Sequence, residues 1–217
     1  MIAMILAAGR GERLRPLTDS IPKALVEVRG ESMLERHLLA IRTAGIDTVV
    51  INLGWLGEQI IERVGSGSRY GLNVVYSPEE DNILETGGGI HRALPMLGDE
   101  PFLVVNADIH TDMPMPVADF DARSIGKLVL VPTPPQKQHG DFDISEDRVR
   151  NSAAPQLTFS GVAIYRPELF KGCSPGRFSI VPLLRAAADA DQLAGEVYTG
   201  AWADIGTAER LAELNGD

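Results

Sequence analysis

The strongest constraint on this chain is the alternation, through its first half, of short apolar runs with amphipathic stretches. Ile2–Leu6, Thr48–Asn52, Asn73–Tyr76, Phe102–Val105 and Leu128–Val131 are rich in Val, Ile and Leu. A strand with one wet face alternates apolar and polar residues, so near-continuous apolar runs of strand length predict burial on both faces. Between the runs the spacing turns helical. In Ser32–Ala44, Leu34, Leu38, Ile41 and Ala44 share one face, Ser32 and Glu35 have capping-box spacing, and Gly45 supplies a stop. Gly57–Val64 groups Ile60, Ile61 and Val64 before Gly65, and Gly88–Leu97 reads as a third helix. This alternation predicts an α/β fold, a Rossmann-like three-layer sandwich around a mainly parallel mixed sheet.

The second half is less regular. Phe142–Val149 alternates around Glu146-Asp147, which predicts a hairpin. Leu157–Tyr165 reads as a strand, Pro167–Phe170 as a short helix, Ile180–Ala190 as a longer one, Val197–Ala203 as a strand and Thr207–Asn215 as a terminal helix. No repeat or linker interrupts the pattern, so residues 1–217 are expected to form one domain, large enough to hold its own core. The lone Cys173 excludes an internal disulfide and suits a reducing compartment. The apolar start, Met1–Ala8, is too short for a signal segment or a membrane span, and a soluble cytoplasmic protein is expected.

Net charge is −10, which speaks against coating nucleic acid. Its distribution is uneven. Residues 1–43 hold seven Lys/Arg against five Asp/Glu, while the remainder holds thirteen against twenty-five. The mildly basic start coincides with Leu6-Ala7-Ala8-Gly9-Arg10-Gly11-Glu12-Arg13-Leu14-Arg15-Pro16-Leu17-Thr18, followed by Ile21-Pro22-Lys23. Small residues let a ligand approach the backbone, and Gly9 and Gly11 can aim successive N–H groups at an anion. Arg10, Arg13, Arg15 and Lys23 add positive charge, at the strand end where open α/β sheets bind ligands. Two familiar phosphate loops are excluded. The Gly-x-x-x-x-Gly-Lys-Ser/Thr pattern is absent, and the dinucleotide fingerprint fails because Leu14 takes the third glycine's place and Asn52 closes the second strand where an acid belongs.

The whole string resembles the sugar-1-phosphate nucleotidyltransferases, whose signature Leu-Ala-Ala-Gly-x-Gly-x-Arg-Leu-x-Pro-Leu-Thr, then Pro-Lys, is filled at every position from Leu6 to Lys23. Glu85-Thr86-Gly87-Gly88-Gly89 resembles the family's second glycine loop, Asn106-Ala107-Asp108 its Asn-Gly-Asp, Phe159-Ser160-Gly161 its sugar-facing strand, and Asp204-Ile205-Gly206-Thr207 its Asp-x-Gly-Thr close. Asn52–Gly57, Gly67–Leu72 and Leu84–Ile90 are most similar to the subgroup of short bacterial enzymes that join UMP to N-acetylmuramate 1-phosphate in peptidoglycan recycling. Mannose- or glucose-1-phosphate nucleotidyltransfer from GTP, dTTP or UTP is the alternative within the family. A non-catalytic nucleotide-sugar-binding subunit is the alternative outside enzymes.

The resemblance implies a nucleotide-diphospho-sugar transferase fold, a nucleoside triphosphate and a sugar 1-phosphate as ligands, Mg²⁺ as cofactor, and no nucleic-acid or membrane partner. It implies Arg13 and Lys23 as the catalytic cations and Ala8, Gly9, Gly11, Glu12, Arg13, Lys23, Thr86 and Gly87 as nucleotide contacts. It further implies Glu85, Asn106, Asp141, Ser160 and Gly161 as sugar contacts, with Asp108 and Asp204, each following an apolar strand, as Mg²⁺ ligands. Trp55 and Trp202 read as core or pocket wall, and His37 as structural. Ala107 departs from the family glycine, where its methyl would narrow the sugar's approach or demand a dihedral that alanine dislikes. The Glu-Lys pair of larger relatives is missing, leaving Arg69, Lys137 and Arg177 as candidate cations for the sugar phosphate. Larger relatives oligomerise through extensions beyond the terminal helix, so a monomer is expected.

Overall fold

The computed structural model describes residues 1–79 and 83–216. Nine strands form the main sheet: β1 (Ala3–Leu6), β4 (Thr48–Leu53), β5 (Asn73–Pro78), β6 (Phe102–Asn106), β8 (Gly126–Pro132), β9 (Asp143–Ser145), β10 (Arg148–Arg150), β11 (Leu157–Tyr165) and β12 (Leu193–Val197). Two small ribbons pair β2 (Glu27–Val28) with β3 (Glu31–Ser32), and β7 (Ile109–Thr111) with β13 (Trp202–Asp204). The helices are α1 (Met33–Thr43), α2 (Gly57–Val64), α3 (Glu85–Leu97), α4 (Val181–Asp189) and α5 (Ala208–Asn215). Main-sheet order is β5-β4-β1-β6-β11-β8-β12-β10-β9. β1 lies parallel between β4 and β6; β11 opposes β6 and β8, and β10 opposes β12 and β9, so these two run against the rest. The expected mainly parallel mixed sheet is the one observed.

The apolar runs are continuous because both faces are covered. Ala3 and Ile5 pack with Leu34, Leu38 and Ile60 from α1 and α2, whereas Met4 between them packs with Ile90, Ala93 and Leu184 from α3 and α4. All three β1 residues are fully buried, which gives three layers. A third, smaller core joins the chain's two ends: Leu14, Val26, Val28, Met33 and Ile205, with Leu211 and Leu214 of α5 against them. Arg29 reinforces it, donating from its backbone N to Asn215 Oδ1 at 2.7 Å and from Nε to the Leu214 carbonyl at 3.0 Å.

Several expectations need correction. Val197–Ala203 is not one strand. β12 ends at Val197, Tyr198 N still donates to the Leu130 carbonyl, and the chain then leaves the sheet to re-pair antiparallel with β7. The Tyr198 hydroxyl, bonded to Asp112, fastens this departure. α3 begins at Glu85, one turn before the expected Gly88, so the second glycine segment is helix and not loop. Ser32 caps α1, accepting from Glu35 N at 3.4 Å, but the Glu35 carboxylate turns away to Arg63, Arg69 and Tyr70, leaving the box half-made. The expected hairpin is present, with Glu146 and Asp147 both at positive φ (52° and 59°), the backbone of a type I′ turn. Among the described residues no helix is long and apolar enough to cross a membrane.

His37 is 1% exposed on α1, and its Nε2 has no partner. Burial pushes its pKa from 6.5 down to about 4. Between those values the unfolded chain takes up a proton that the folded chain refuses, so stability falls as pH falls. Going from pH 7 to pH 4.5 should cost about 2–3 kcal/mol through this one group. Urea titrations across that range should show a shallower loss in His37→Leu than in the parent; equal slopes would remove His37 as the cause.

Candidate functional site

The strand that opens the chain ends at Leu6, beside Asn52 of β4 and Asn106 of β6 in register. Beyond these ends the backbone turns back on itself. Gly11 has φ +64°, its carbonyl accepts from Thr18 Oγ1 at 2.8 Å, and a Cβ there would stand 2.9 Å from Thr18 Cγ2. Only glycine meets both demands. The result is an open cleft of three adjoining hollows. The first, about 220 Å³, is lined by Ala8, Gly9, Gly11, Lys23, Glu85 and Thr86, and also by Asn52, Asn106 and Asp108. The second, about 460 Å³, is lined by Gly9, Gly11, Glu12, Arg13 and Lys23. The third, about 440 Å³, is lined by Arg13, Asn106, Asp108, Asp141, Ser160, Gly161 and Asp204. Lys23 is common to the first two, Arg13 to the last two, and Asp108 to the first and third.

The structure therefore brings together nearly all residues singled out from the sequence. Glu85 lines the first hollow together with Asn106, apart from Asp141, Ser160 and Gly161, which line the third, and holds Arg177 Nε at 2.8 Å. Gly87 lines none of the three; a Cβ there would meet the Phe178 ring at 2.5 Å, so its smallness serves the packing of α3. Ser160 is fully buried in a bulge of β11, with Oγ accepting from Val162 N at 3.1 Å and its carbonyl accepting from Trp202 Nε1 at 2.8 Å. Trp202 thus forms pocket wall, and Trp55 braces the glycine loop by donating Nε1 to the Thr18 carbonyl at 2.9 Å. Ala107 is buried without a positive φ, so the strain expected of its methyl group does not arise.

Charge in the cleft is arranged in opposed pairs. Lys23 Nζ lies 2.5 Å from Asp108 Oδ2, with side chains 14% and 33% exposed, so incoming groups can reach both. Arg210 Nη2 lies 3.2 Å from Asp204 Oδ1. Arg13 has no ion pair among the described residues, and a Cβ on Gly206 would sit 3.0 Å from its Nη1 and 3.2 Å from Asp204 Oδ2. Asp108 follows β6 as expected, but Asp204 does not follow a strand Val197–Ala203: it is the last residue of β13. Asp204 pairs with Ile109 across the β7–β13 ribbon, and Ile205 N donates to the Asp108 carbonyl at 2.8 Å, so adjacent backbones present both.

Each carboxylate has one oxygen, Asp108 Oδ1 and Asp204 Oδ2, without a cationic partner among the described residues. Hard oxygen donors of this kind fit Mg²⁺, which keeps its remaining positions for water and phosphate oxygens. Among the described residues no group of three or more His, Cys, Asp or Glu side chains is placed to hold a metal.

One part of the site escaped sequence reasoning. Asn52 Oδ1 accepts from Ala7 N at 2.6 Å, Asn52 Nδ2 donates to Glu79 Oε1 at 2.6 Å, and Glu79 Oε2 accepts from Leu84 N at 2.8 Å. Glu79 is 3% exposed. This chain of bonds ties the glycine loop to the start of α3 across the floor of the first hollow. Gly89 makes room for it: a Cβ would stand 2.6 Å from Glu79 Oε1. An Asn ending an apolar strand was the available signal; nothing in the local sequence marks Glu79.

The sequence pattern of the nucleotidyl transferase family matches residues 2–217. The chain is 47% identical to the N-acetylmuramate alpha-1-phosphate uridylyltransferase of Neisseria meningitidis serogroup B, covering 98% of this chain and 96% of that protein. It is 33% identical to the protein of the same name from Caulobacter vibrioides, over 94% and 91%. Among solved structures, a Bacillus anthracis protein crystallised with a sucrose superposes with a TM-score of 0.89 at 20% identity, over 100% of this chain and 94% of that one.

Both groups bound to the Glu79 carboxylate are donors, so even its amide would set donor against donor. Glu79→Gln should lower unfolding free energy by about 1–3 kcal/mol. Chemical denaturation of the two proteins measures this; an unchanged midpoint would mean that the network is not closed in solution.

Proposed function

This chain belongs to the nucleotidyl transferase family, and on that premise we propose that it transfers UMP from UTP to N-acetylmuramate 1-phosphate, releasing pyrophosphate. The observation that carries the reading is the meeting, across three adjoining hollows, of a glycine loop, an Arg13 with no ion pair among the described residues, and two carboxylates. The choice of base and sugar is supported by the two relatives that share those substrates in their names over nearly their whole length. The step belongs to peptidoglycan recycling in the cytoplasm, with a monomer as the working unit.

The chemistry asks little of acid–base groups. A phosphate monoester is ionised at neutral pH, so its oxygen attacks the α-phosphorus without a general base. One P–O bond forms, the α–β bridging P–O bond breaks, and pyrophosphate leaves with the electron pair. The barrier lies in bringing two anions together in line and in stabilising charge on the transferred phosphoryl group. Gly9, Gly11 and Glu12 present backbone to the triphosphate, and Arg13 gives it a planar fork of donors. Lys23 exchanges Asp108 for the α-phosphate, with Ala8, Thr86 and Glu85 walling the nucleoside. Asn106, Asp141, Ser160 and Gly161 form the sugar side. Asp108 and Asp204 would hold Mg²⁺, which when bound neutralises phosphate oxygens.

Purified protein should release pyrophosphate from UTP with N-acetylmuramate 1-phosphate and leave GTP with mannose 1-phosphate untouched; the opposite pattern overturns the assignment. Asp108→Ala should lower kcat by about 10³-fold. Lys23→Met removes the resident cation from Asp108, so Mn²⁺ should bind about tenfold more tightly in the absence of nucleotide, as read by calorimetry.

A further inference from the structure

The sequence leaves three cations, Arg69, Lys137 and Arg177, open as partners for the sugar phosphate, and the structure separates them by place. Arg69 Nη2 lies 3.2 Å from Glu35 Oε1, and Arg69 lines none of the three hollows. Arg177 is paired with Glu85, on the nucleotide side, with its side chain 70% exposed. Lys137 lines the third hollow with Asp141, Ser160 and Trp202, and it lines neither of the hollows formed by the glycine loop.

Its ammonium is held in place from the sheet outward. Phe159 N, on β11, donates to Asp141 Oδ2 at 2.9 Å, and Lys137 Nζ donates to both Asp141 oxygens at 2.7 and 2.8 Å. Lys137 N also donates to the Pro134 carbonyl at 2.9 Å, closing a turn behind a Pro-Pro pair. An ammonium has three donors, and Asp141 occupies two. The third remains for a ligand in the hollow.

Position then decides the kind of anion. In the function proposed above, the phosphates of both substrates gather where Arg13, Lys23 and Asp108 connect the hollows, so the group reaching Lys137 is a substituent of the sugar itself. N-acetylmuramate differs from N-acetylglucosamine by a lactyl ether on C3 that ends in a carboxylate. Resting on the function proposed above, we propose that Lys137 binds this carboxylate and selects the muramate sugar over its neutral counterpart. Asp141 is then the positioning residue that fixes the ammonium. A charge-assisted hydrogen bond of this type is worth about tenfold or more in affinity.

The test is calorimetric binding of UDP-N-acetylmuramate and UDP-N-acetylglucosamine to the parent protein, Lys137→Met and Lys137→Arg. The parent should prefer the muramate compound. Lys137→Met should lose about tenfold for it and nothing for the glucosamine compound, and Lys137→Arg should keep most of the preference. A Lys137→Met protein that weakens both ligands alike, or keeps the parent's preference, overturns the role of Lys137. A parent protein that binds neither compound, or favours the glucosamine one, overturns the muramate function itself.

Discussion

Everything in the cleft is arranged around one ion pair, Lys23 with Asp108 at 2.5 Å. Asp108 follows β6 directly, whereas Lys23 comes back to it only after the loop that leaves β1, the strand parallel to and beside β6, has turned through residues 9–22. Removing either partner alone would leave the other partly desolvated and unpaired, at a larger cost than the pair gains. A ligand of the opposite charge can replace each of them, however. In the proposed reaction a polyphosphate would compete for the lysine and a divalent cation for the aspartate, and the ion pair keeps both charges neutralised without either ligand. The chain's overall charge of −10 has no bearing on this. What counts is that the lysine and the aspartate cancel locally.

The geometry depends on the small core that joins the two ends of the chain. Leu14, next to Arg13, packs with Ile205, next to Gly206, and α5 covers both through Leu211 and Leu214. Thr207 caps α5 by accepting from Arg210 N at 3.4 Å, and Arg210 in turn reaches back to Asp204. Arg13 and Asp204 thus stand together because the terminal helix closes over the first loop. Arg13 follows its buried neighbour Leu14 into place and has no ion pair among the described residues.

Legibility in the sequence followed burial. Strands β1, β4, β6 and β8 were readable because helices cover both their faces, so apolar character runs without interruption. The glycine loop was readable because all its parts lie within residues 6–23. β7 and β13 were not, since three residues carry no period, and in Val197–Ala203 nothing apolar marks where one sheet is left and another joined. The glycines of α3 read as loop and lie in helix for a physical reason: close approach to a ligand and close approach to Phe178 or Glu79 make the same demand for a missing side chain. Glu79 was invisible because its role lies in two donors brought from elsewhere.

The same contrast separates the reaction from its specificity. The phosphate machinery is nearly contiguous, from Ala8 to Lys23, and its glycine backbone cannot change without losing the turn at Gly11. The sugar side is assembled from four distant segments: Asn106–Asp108, the loop from Pro134 to Asp141, the bulge at Ser160–Gly161, and β13. Among the described residues, Arg13, Asn106 and Asp108 line both sides. Within the proposed reaction, a different sugar could be accommodated by altering the Pro134–Asp141 loop and the β11 bulge, without moving any group that touches the triphosphate. In the proposed reaction, recognition of the sugar would rest on walls that can vary, around an ion pair and a loop that cannot.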